Sequence, residues 1–232
     1  MDLFLTALSG IAWTIVYIDA IRVGFRQKTY AMPVAALGLN IAWESTYSVL
    51  DFTGGAVSVQ AWVNLIWALA DVVIVFTFFK FGRAELPRFV TKPMFIVWGV
   101  LIFASSYAVQ WLFIGEFGQM AGARYSAFLQ NLLMSGLFIA MLVARRGIRG
   151  QTLTIAISKW IGTLAPTILI GVLGNMPFII AIGIMCSVFD LVYIGLVWRA
   201  LRHPEAFADA APAATTAAAV AQAASTQAGA TQ

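Results

Sequence analysis

PFIIAIGIMCSVFDLVYIGLVW, residues 177–198, is a run of 22 residues in which Asp190 is the only charged side chain. At about 1.5 Å per residue, a helix of this length is about 33 Å long, which is enough to cross the hydrocarbon core of a bilayer. The stretch therefore predicts a transmembrane helix with a single carboxyl group inside the membrane.

Six further apolar windows of similar length precede this one. The seven predicted spans are 3–23, 30–50, 60–80, 93–114, 122–144, 153–174 and 177–199. Composition agrees, because 61% of the 232 residues are hydrophobic and 10% are charged, whereas a soluble domain carries about 25% charged residues. We predict an all-α polytopic membrane protein, a bundle of seven transmembrane helices over residues 1–202, followed by a disordered Ala-rich tail, residues 203–232.

Lysine and arginine are distributed unevenly between the connections. They occur in the first, third and fifth connections and after the last span, whereas the second and sixth connections have none and the fourth has only Arg124, at its end. The positive-inside rule then predicts that the N-terminus lies outside and the C-terminus in the cytoplasm. The net charge of +4 reflects loops that face lipid head groups. We predict no nucleic-acid partner, because no basic patch is interleaved with exposed aromatic residues.

Four carboxylic acids fall inside the predicted spans: Asp19, Glu44, Asp71 and Asp190. A charge in the membrane centre costs roughly 2.5 kcal/mol or more, so such residues usually mark a site or a polar pathway. Asp19 lies near the cytoplasmic end of its span and close to Arg22, which favours a structural ion pair.

Helical spacing places polar and aromatic side chains beside the other acids, since residues three, four and seven apart share a helix face. One such stripe is Trp13 and Tyr17 on span one, and others place Ser135 and Cys186 on spans five and seven. Together the stripes predict an interior cavity with carboxyl groups and π faces. The candidate substrate-binding residues are Asn40, Trp43, Tyr47, Trp67, Asp71, Gln130 and Tyr193.

Structural explanations compete for some of these residues. Asp71 could be neutralised by Lys159 or hydrogen-bonded by Asn64, and Lys159 could instead extend toward the cytoplasm. Glu44 and Asp190 have no basic residue near them within their spans. We therefore predict that Glu44 and Asp190 are the functional acids.

A carboxyl group buried without a cation partner keeps its proton near neutral pH and can act as a general acid. Such an acid can protonate an alkene or an epoxide, and aromatic faces attract the carbocation that results. A pocket within the membrane would admit a polyprenyl chain directly and keep water away from the cation. This chemistry predicts a lipophilic prenylated substrate that reaches the protein from the bilayer.

The chain resembles the integral-membrane terpene cyclases of fungal meroterpenoid and indole-diterpene pathways and their bacterial relatives that act on prenylated indoles. The resemblance covers about residues 5 to 200, and its most specific part is a Trp-Glu pair in span two with an aspartate in the last span. It runs through Thr29–Pro33, Asn40–Glu44, Gln130–Ser135, Lys159–Thr163 and the region of Asp190. In that family the span-two glutamate and the last-span aspartate are the proposed acid pair. The resemblance thus implies catalytic roles for Glu44 and Asp190.

The motifs of other terpene cyclases are missing from the sequence. There is no Asp-Asp-x-x-Asp for diphosphate ionisation and no Asp-x-Asp-Asp acid motif. Cys186 is the single cysteine and His203 the single histidine, so a cysteine- or histidine-based metal site and a disulfide are excluded by inventory. We expect a terpene cyclase of the isomerase or lyase type that starts by protonation and needs neither metal nor cofactor.

Three other functions compete with this hypothesis. A small proton-coupled membrane carrier would use the buried carboxylates as a relay, but it predicts pseudo-repeats that the sequence does not show. A retinal-type photoreceptor needs a lysine in the last span, and residues 177–198 contain none. A purely structural membrane protein would leave the buried acids unexplained.

Overall fold

The computed structural model describes residues 1–55 and 57–208, and over these residues the chain forms helices and no strand. The helices are α1 (Asp2–Gln27), α2 (Val34–Thr53), α3 (Val59–Phe81), α4 (Lys92–Arg145), α5 (Leu153–Pro166), α6 (Pro177–Arg202) and α7 (Glu205–Ala208). A 3₁₀ turn, Gly82–Glu85, continues α3, and a π-helical segment, Thr167–Leu173, continues α5.

Helix α4 is two membrane spans joined at Gly118. A straight helix of its 54 residues would be about 80 Å long, more than twice the thickness of the hydrocarbon core. Gly118 has φ 74° and ψ 169°, a backbone conformation that is essentially restricted to glycine. Beyond it the chain reverses, so that a Cβ added at Gly122 would lie only 2.8 Å from the carbonyl oxygen of Phe113. The two predicted spans 93–114 and 122–144 are therefore confirmed as an antiparallel pair.

The seven-helix membrane bundle is also confirmed. The helices long and apolar enough to cross a bilayer are α1, α3 with its 3₁₀ turn, α4, α5 with its π-helical segment, and α6. Helix α2 is not among these five, and it carries the polar side chains Asn40 and Glu44 on its buried face. It packs against α3 and α4, so neighbouring helices rather than lipid surround much of its polar surface. With α4 counted twice, the long helices within residues 1–55 and 57–208 number seven.

Helix boundaries follow local capping chemistry. The side chains of Ser58, Thr91 and Thr152 accept hydrogen bonds from the first turns of α3, α4 and α5, which satisfies amide groups that have no partner within the helix. Lys28 and Arg146 adopt left-handed backbone angles and end α1 and α4. These features place the ends within a few residues of the predicted spans.

Pro166 in the sixth span interrupts the α-helix, as its sequence position predicts. It is the last residue of α5, and the π-helical segment starts at the next residue. Proline has no amide hydrogen to donate to the preceding turn, so regular α-helical hydrogen bonding cannot continue through it. Lys159 and Gly162 lie in the α-helical part of this span.

The predicted Ala-rich tail, residues 203–232, lies outside the described residues from position 209 onward. Before that point the chain forms the single turn α7. The prediction that the tail is disordered stays a prediction.

Three connections at one end of the bundle are tied together by a group of contacts that we call the loop cap, formed by Gln27, Thr29, Glu85, Arg149 and Gly150. Glu85 accepts hydrogen bonds from Thr29 Oγ1 at 2.6 Å and from Arg149 Nε at 2.8 Å. Gln27 accepts one from the backbone N–H of Gly150 at 2.7 Å. The loop cap joins the α1–α2, α3–α4 and α4–α5 connections, which carry the predicted cytoplasmic charges.

Candidate functional site

Helices α1, α2 and α3 meet around four buried polar side chains near their midpoints: Tyr17, Asn40, Glu44 and Asp71. We call this group the Glu44 centre. Each of the four is at most 6% exposed, and Asn40 and Glu44 stand one helical turn apart on the buried face of α2. The polar stripes that the sequence predicts on spans one, two and three thus meet in one place.

A single amide group connects the two carboxyls of the Glu44 centre. Asn40 Nδ2 lies 2.9 Å from Asp71 Oδ2 and 3.1 Å from Glu44 Oε1, to both of which it donates. The hydroxyl of Tyr17 also donates to Glu44 Oε1, and the Asn40 amide contacts the Tyr17 oxygen. Asn64, an alternative partner for Asp71 in the sequence, instead accepts a hydrogen bond from Gln60 at 2.7 Å.

Within the described residues, two carboxyl oxygens of the Glu44 centre have no hydrogen-bond donor, and neither carboxyl has a cationic partner. Glu44 Oε2 and Asp71 Oδ1 are buried and lack a hydrogen-bond partner among the described residues. No ion pair in the described part of the chain involves either carboxyl. Two neighbouring carboxyls in a low-dielectric interior repel each other when both are ionised. The arrangement is therefore suited to holding a proton and to donating it.

Aromatic rings adjoin this carboxyl pair. The ring of Tyr17 stacks on Trp67, with 5.9 Å between centroids and 28° between planes. Trp67 precedes Asp71 by one helical turn on α3, and its indole N–H donates to Thr14 at 3.2 Å. Trp13 lies 6.5 Å from the Tyr17 ring, centroid to centroid. A cation formed beside Glu44 would thus have π faces within reach.

A second buried polar group, the Asp190 centre, consists of Ser135, Lys159 and Asp190. Lys159 Nζ lies 2.7 Å from Asp190 Oδ1 and 2.7 Å from Ser135 Oγ. The side chains of Lys159 and Asp190 are 0% and 1% exposed. Asp190 Oδ2 is buried and has no hydrogen-bond partner among the described residues.

This ion pair corrects the sequence interpretation of Lys159. Lys159 neither extends toward the cytoplasm nor neutralises Asp71, because it pairs with Asp190. Helices α5 and α6 pack against each other, and an ammonium group that the bundle buries needs an anionic partner to offset its desolvation. Asp190, which has no basic neighbour along its own span, therefore acquires one through the fold.

Trp13 packs next to one helix from each of the two centres. Its indole packs so closely on Gly162 of α5 that a Cβ added there would lie 2.8 Å from Trp13 Cδ1. Gly162 follows Lys159 by three residues, and Trp13 precedes Tyr17 by four. One aromatic ring therefore adjoins the helix of Lys159 and the residue that binds Glu44.

The remaining predicted residues lie in other surroundings. Trp43 Nε1 donates to the carbonyl of Ala123 in α4 at 2.9 Å, and its ring packs on Tyr47. Tyr47 is buried, and its hydroxyl lacks a partner among the described residues. Gln130 accepts a hydrogen bond at 3.3 Å from Gln110, across the two halves of α4. The sequence stripes had not singled out Gln110.

The Tyr193 hydroxyl donates to Gln151 Oε1 at 2.9 Å. This contact holds its polar end near the start of α5 rather than at Asp190. The Tyr193 ring packs on Phe138, with 5.3 Å between centroids. Tyr193 therefore supports the wall of the Asp190 centre.

The predicted ion pair of Asp19 is confirmed. Arg22 Nη2 lies 2.6 Å from Asp19 Oδ1, and Thr152 donates to the other carboxyl oxygen. Asp19 thus joins α1 to the start of α5 and has a structural role.

An apolar groove runs along the outside of the bundle, between the second half of α4 and α6. Its volume is about 460 Å³, and its lining residues are Leu129, Leu132, Leu133, Gly136, Leu137, Met185 and Phe189. Gly136 and Phe189 are direct sequence neighbours of Ser135 and Asp190. The groove therefore lies on the outer side of the two helices, α4 and α6, that carry Ser135 and Asp190.

Within the described residues, no group of three or more histidine, cysteine, aspartate or glutamate side chains is placed to hold a metal ion. The two carboxyls of the Glu44 centre share the amide of Asn40, and the Tyr17 hydroxyl donates to Glu44.

Comparisons with known proteins place the chain among similar sequences. The model of the Pyr4-like transmembrane terpene cyclases matches residues 1–203. Terpene cyclase pyr4 of Aspergillus fumigatus is 25% identical over 205 residues, which cover 84% of each chain. The Pyr4-family terpene cyclase mfmH of Annulohypoxylon moriforme is 30% identical over 67% of this chain and 64% of its own length. Terpene cyclase cle7 of Aspergillus versicolor is 27% identical over 70% of this chain and 67% of its own. No solved structure matches the chain.

Proposed function

The chain belongs to the Pyr4-like transmembrane terpene cyclases, and we propose that it starts cyclisation by protonating its substrate from Glu44. It is an integral membrane terpene cyclase, which accounts for carboxyl groups held inside a bundle of apolar helices. The proton source and the bond that receives the proton are the parts of the mechanism that we propose.

The observation that carries the proposal is the Glu44 centre itself. The Glu44 carboxyl is 3% exposed, shares an amide donor with Asp71, and has no cation partner among the described residues. Its Oε2 has no hydrogen-bond partner in the described part of the chain, so a substrate atom placed there meets no competing hydrogen bond from these residues. The hydroxyl of Tyr17 and the amide of Asn40 bind Oε1 and fix the orientation of the carboxyl.

In this mechanism Glu44 gives its proton to the terminal epoxide oxygen or alkene carbon of a prenyl chain. The epoxide C–O bond or the alkene π bond breaks, and the next alkene of the chain supplies the electron pair for the new C–C bond. Hydrogen bonds from Tyr17 and Asn40 stabilise the carboxylate that Glu44 becomes. The rings of Tyr17 and Trp67 lie beside this position and attract the positive charge of the chain.

The substrate that fits this site is a lipophilic prenylated molecule that enters from the bilayer. Protonation supplies the positive charge that metal-dependent cyclases obtain by ionising a diphosphate, so we propose that turnover needs no metal ion and no cofactor. We also propose that the N-terminus lies outside and that the loop cap faces the cytoplasm, because the loop cap includes lysine- and arginine-rich connections.

The decisive experiment replaces Glu44 by glutamine. Glu44→Gln preserves size and most hydrogen bonding but removes the acidic proton, and we expect turnover to fall at least 1000-fold while the protein still inserts into membranes. Membranes are incubated with prenylated aromatic substrates, with and without a terminal epoxide, and cyclic products of unchanged mass are measured by mass spectrometry. Glu116→Gln, an exposed acid in α4, is the matched control and should retain normal turnover.

Near-normal turnover of Glu44→Gln would remove Glu44 from the initiation step. The same assay in EDTA tests the metal requirement. Turnover that chelation abolishes and magnesium restores would overturn metal independence and point to initiation by ionisation.

A further inference from the structure

We propose that Asp190, held by Lys159, is the base that ends the reaction by removing the last proton from the cyclised carbocation. This inference rests on the proposed protonation by Glu44 and gives the second buried acid a different role. Acid and base would then belong to separate centres of one bundle.

The two centres differ in the charge that they hold. Asp190 forms an ion pair with Lys159 at 2.7 Å inside the bundle, and a carboxylate in an ion pair has no proton to donate. Glu44 shares the Asn40 amide with a second carboxyl, that of Asp71, and has no cation partner within the described residues. Two carboxyl groups in such different environments suit different roles, one as the acid and the other as the base.

Asp190 has one oxygen left for the reaction. Lys159 occupies Oδ1, and Ser135 binds the same ammonium group at 2.7 Å. Oδ2 is buried and has no partner in the described part of the chain. A buried acceptor without a partner is unfavourable. A C–H bond of a carbocation, made acidic by the adjacent positive charge, would satisfy this oxygen by transferring its proton to it.

Trp13 connects the surroundings of the two centres. Trp13 packs on Gly162 beside the helix turn of Lys159 and lies 6.5 Å from the ring of Tyr17. A chain that is protonated at Glu44 and carries its charge forward would thus pass an aromatic face before it reaches Asp190. The apolar groove is lined by Phe189 and Gly136, so it follows the same two helices that carry Asp190 and Ser135.

The proposed step is balanced in atoms and electrons. A C–H bond next to the cationic carbon breaks, its electron pair forms a C=C bond, and the proton binds Asp190 Oδ2. One proton enters from Glu44 and one leaves to Asp190, so the product is an isomer of the substrate. Return of the proton from Asp190 to water and of another to Glu44 resets the enzyme.

Lys159 is a positioning residue in this scheme. Its ammonium group keeps Asp190 in the form that accepts a proton, and it neutralises the carboxylate until the cation arrives. Removing Lys159 or Asp190 alone leaves a buried charge without its partner, which destabilises folding. The informative variant is therefore the double replacement Lys159→Met with Asp190→Asn, which removes both charges together.

We expect the double variant to fold, to keep consuming substrate, and to end the reaction differently. The normal alkene should decrease at least tenfold relative to other products, which would be isomeric alkenes and alcohols formed by capture of water. Substrate consumption and product ratios are measured by mass spectrometry and normalised to folded protein. Ser187→Ala, a partly buried position of the same helix, is the matched control and should preserve the product ratio.

Two results would overturn the proposal. Unchanged product ratios in the folded double variant would show that the ion pair is only structural. A folded double variant that consumes no substrate would assign Asp190 to initiation instead. These outcomes are separable from failure of the protonation mechanism, because Glu44→Gln is judged by substrate consumption and the Asp190 variant by product identity.

Discussion

Asn40 organises the Glu44 centre. Its side-chain nitrogen lies within hydrogen-bond distance of Glu44 and Asp71 and contacts the oxygen of Tyr17. Three helices thus depend on one amide group for the alignment of their polar side chains. A leucine of similar size would leave both carboxyls without this donor, so packing alone does not explain an asparagine at this position.

Replacing Tyr17 by phenylalanine tests the contribution of its hydroxyl separately from that of its ring. Tyr17→Phe keeps the stacking on Trp67 but removes the hydrogen bond to Glu44. We expect about tenfold slower turnover, since one such hydrogen bond contributes about 1–1.5 kcal/mol. Initial rates per folded enzyme are measured, with Tyr107→Phe, whose hydroxyl lies 2.9 Å from Ser45 at an exposed site, as the control.

An unaltered rate would show that the Tyr17 hydroxyl does not assist Glu44. Complete loss of turnover in a folded enzyme would instead indicate that Tyr17 itself transfers the proton.

At this scale the sequence predicts which residues are polar inside the membrane but not which of them pair. Helical spacing identified Glu44, Asn40, Trp67 and Asp71 and predicted that they face a common interior, as they do. The partner of Asp190 was missed, because Lys159 is 31 positions away and only the packing of α5 on α6 brings the two together. Periodicity defines a face of one helix and contains no information about its neighbour.

At the level of the helices, the close contact of α1 with α5 at Gly162 predicts a measurable effect of an added side chain. Gly162→Ala would place a Cβ 2.8 Å from the indole of Trp13, and overpacking of this kind costs about 1–3 kcal/mol. We expect a lower unfolding temperature in detergent, because the added methyl group would push the Trp13 indole away from α5. We expect slower turnover as well, because this ring also neighbours Tyr17 of the Glu44 centre. Thermal unfolding and rates are compared with Gly136→Ala, where an added Cβ meets no atom within 4 Å.

Equal unfolding temperatures for the two alanine variants would show that Trp13 adapts without cost. In that case the α1–α5 contact does not fix the position of the ring.

The helices themselves were largely predictable. A window of about twenty apolar residues is a sufficient signal because the membrane fixes the length of each span. The π-helical form of Thr167–Leu173 was not predictable, since Pro166 indicates an interruption but not how the backbone recovers its hydrogen bonds. The single-residue reversal at Gly118 was likewise missed, although both flanking spans were predicted.

For the whole molecule, the distribution of charge sets the orientation in the membrane. We expect a cysteine at Gly54, in the α2–α3 connection, to react with an impermeant thiol reagent in intact cells. A cysteine at Arg88, in the α3–α4 connection, should react only after the cells are opened. Both residues are exposed, and Gly54 has φ −78°, which any residue adopts. The variants are made in a Cys186→Ala background, because Cys186 is the single native cysteine. Labelling at Arg88 but not at Gly54 would reverse the proposed topology.

The loop cap links three connections through Glu85, Arg149 and Gln27 and presents charged and polar groups at one end of the bundle. A prenyl chain would lose its apolar surroundings by crossing such an end, so for the prenylated substrate proposed above the favourable route is sideways through the lipid. For an enzyme supplied in this way, the quantity that governs saturation is the number of substrate molecules per lipid in the membrane plane, not their amount per litre. The bilayer then acts as the reaction solvent, and its area sets the encounter rate between enzyme and substrate.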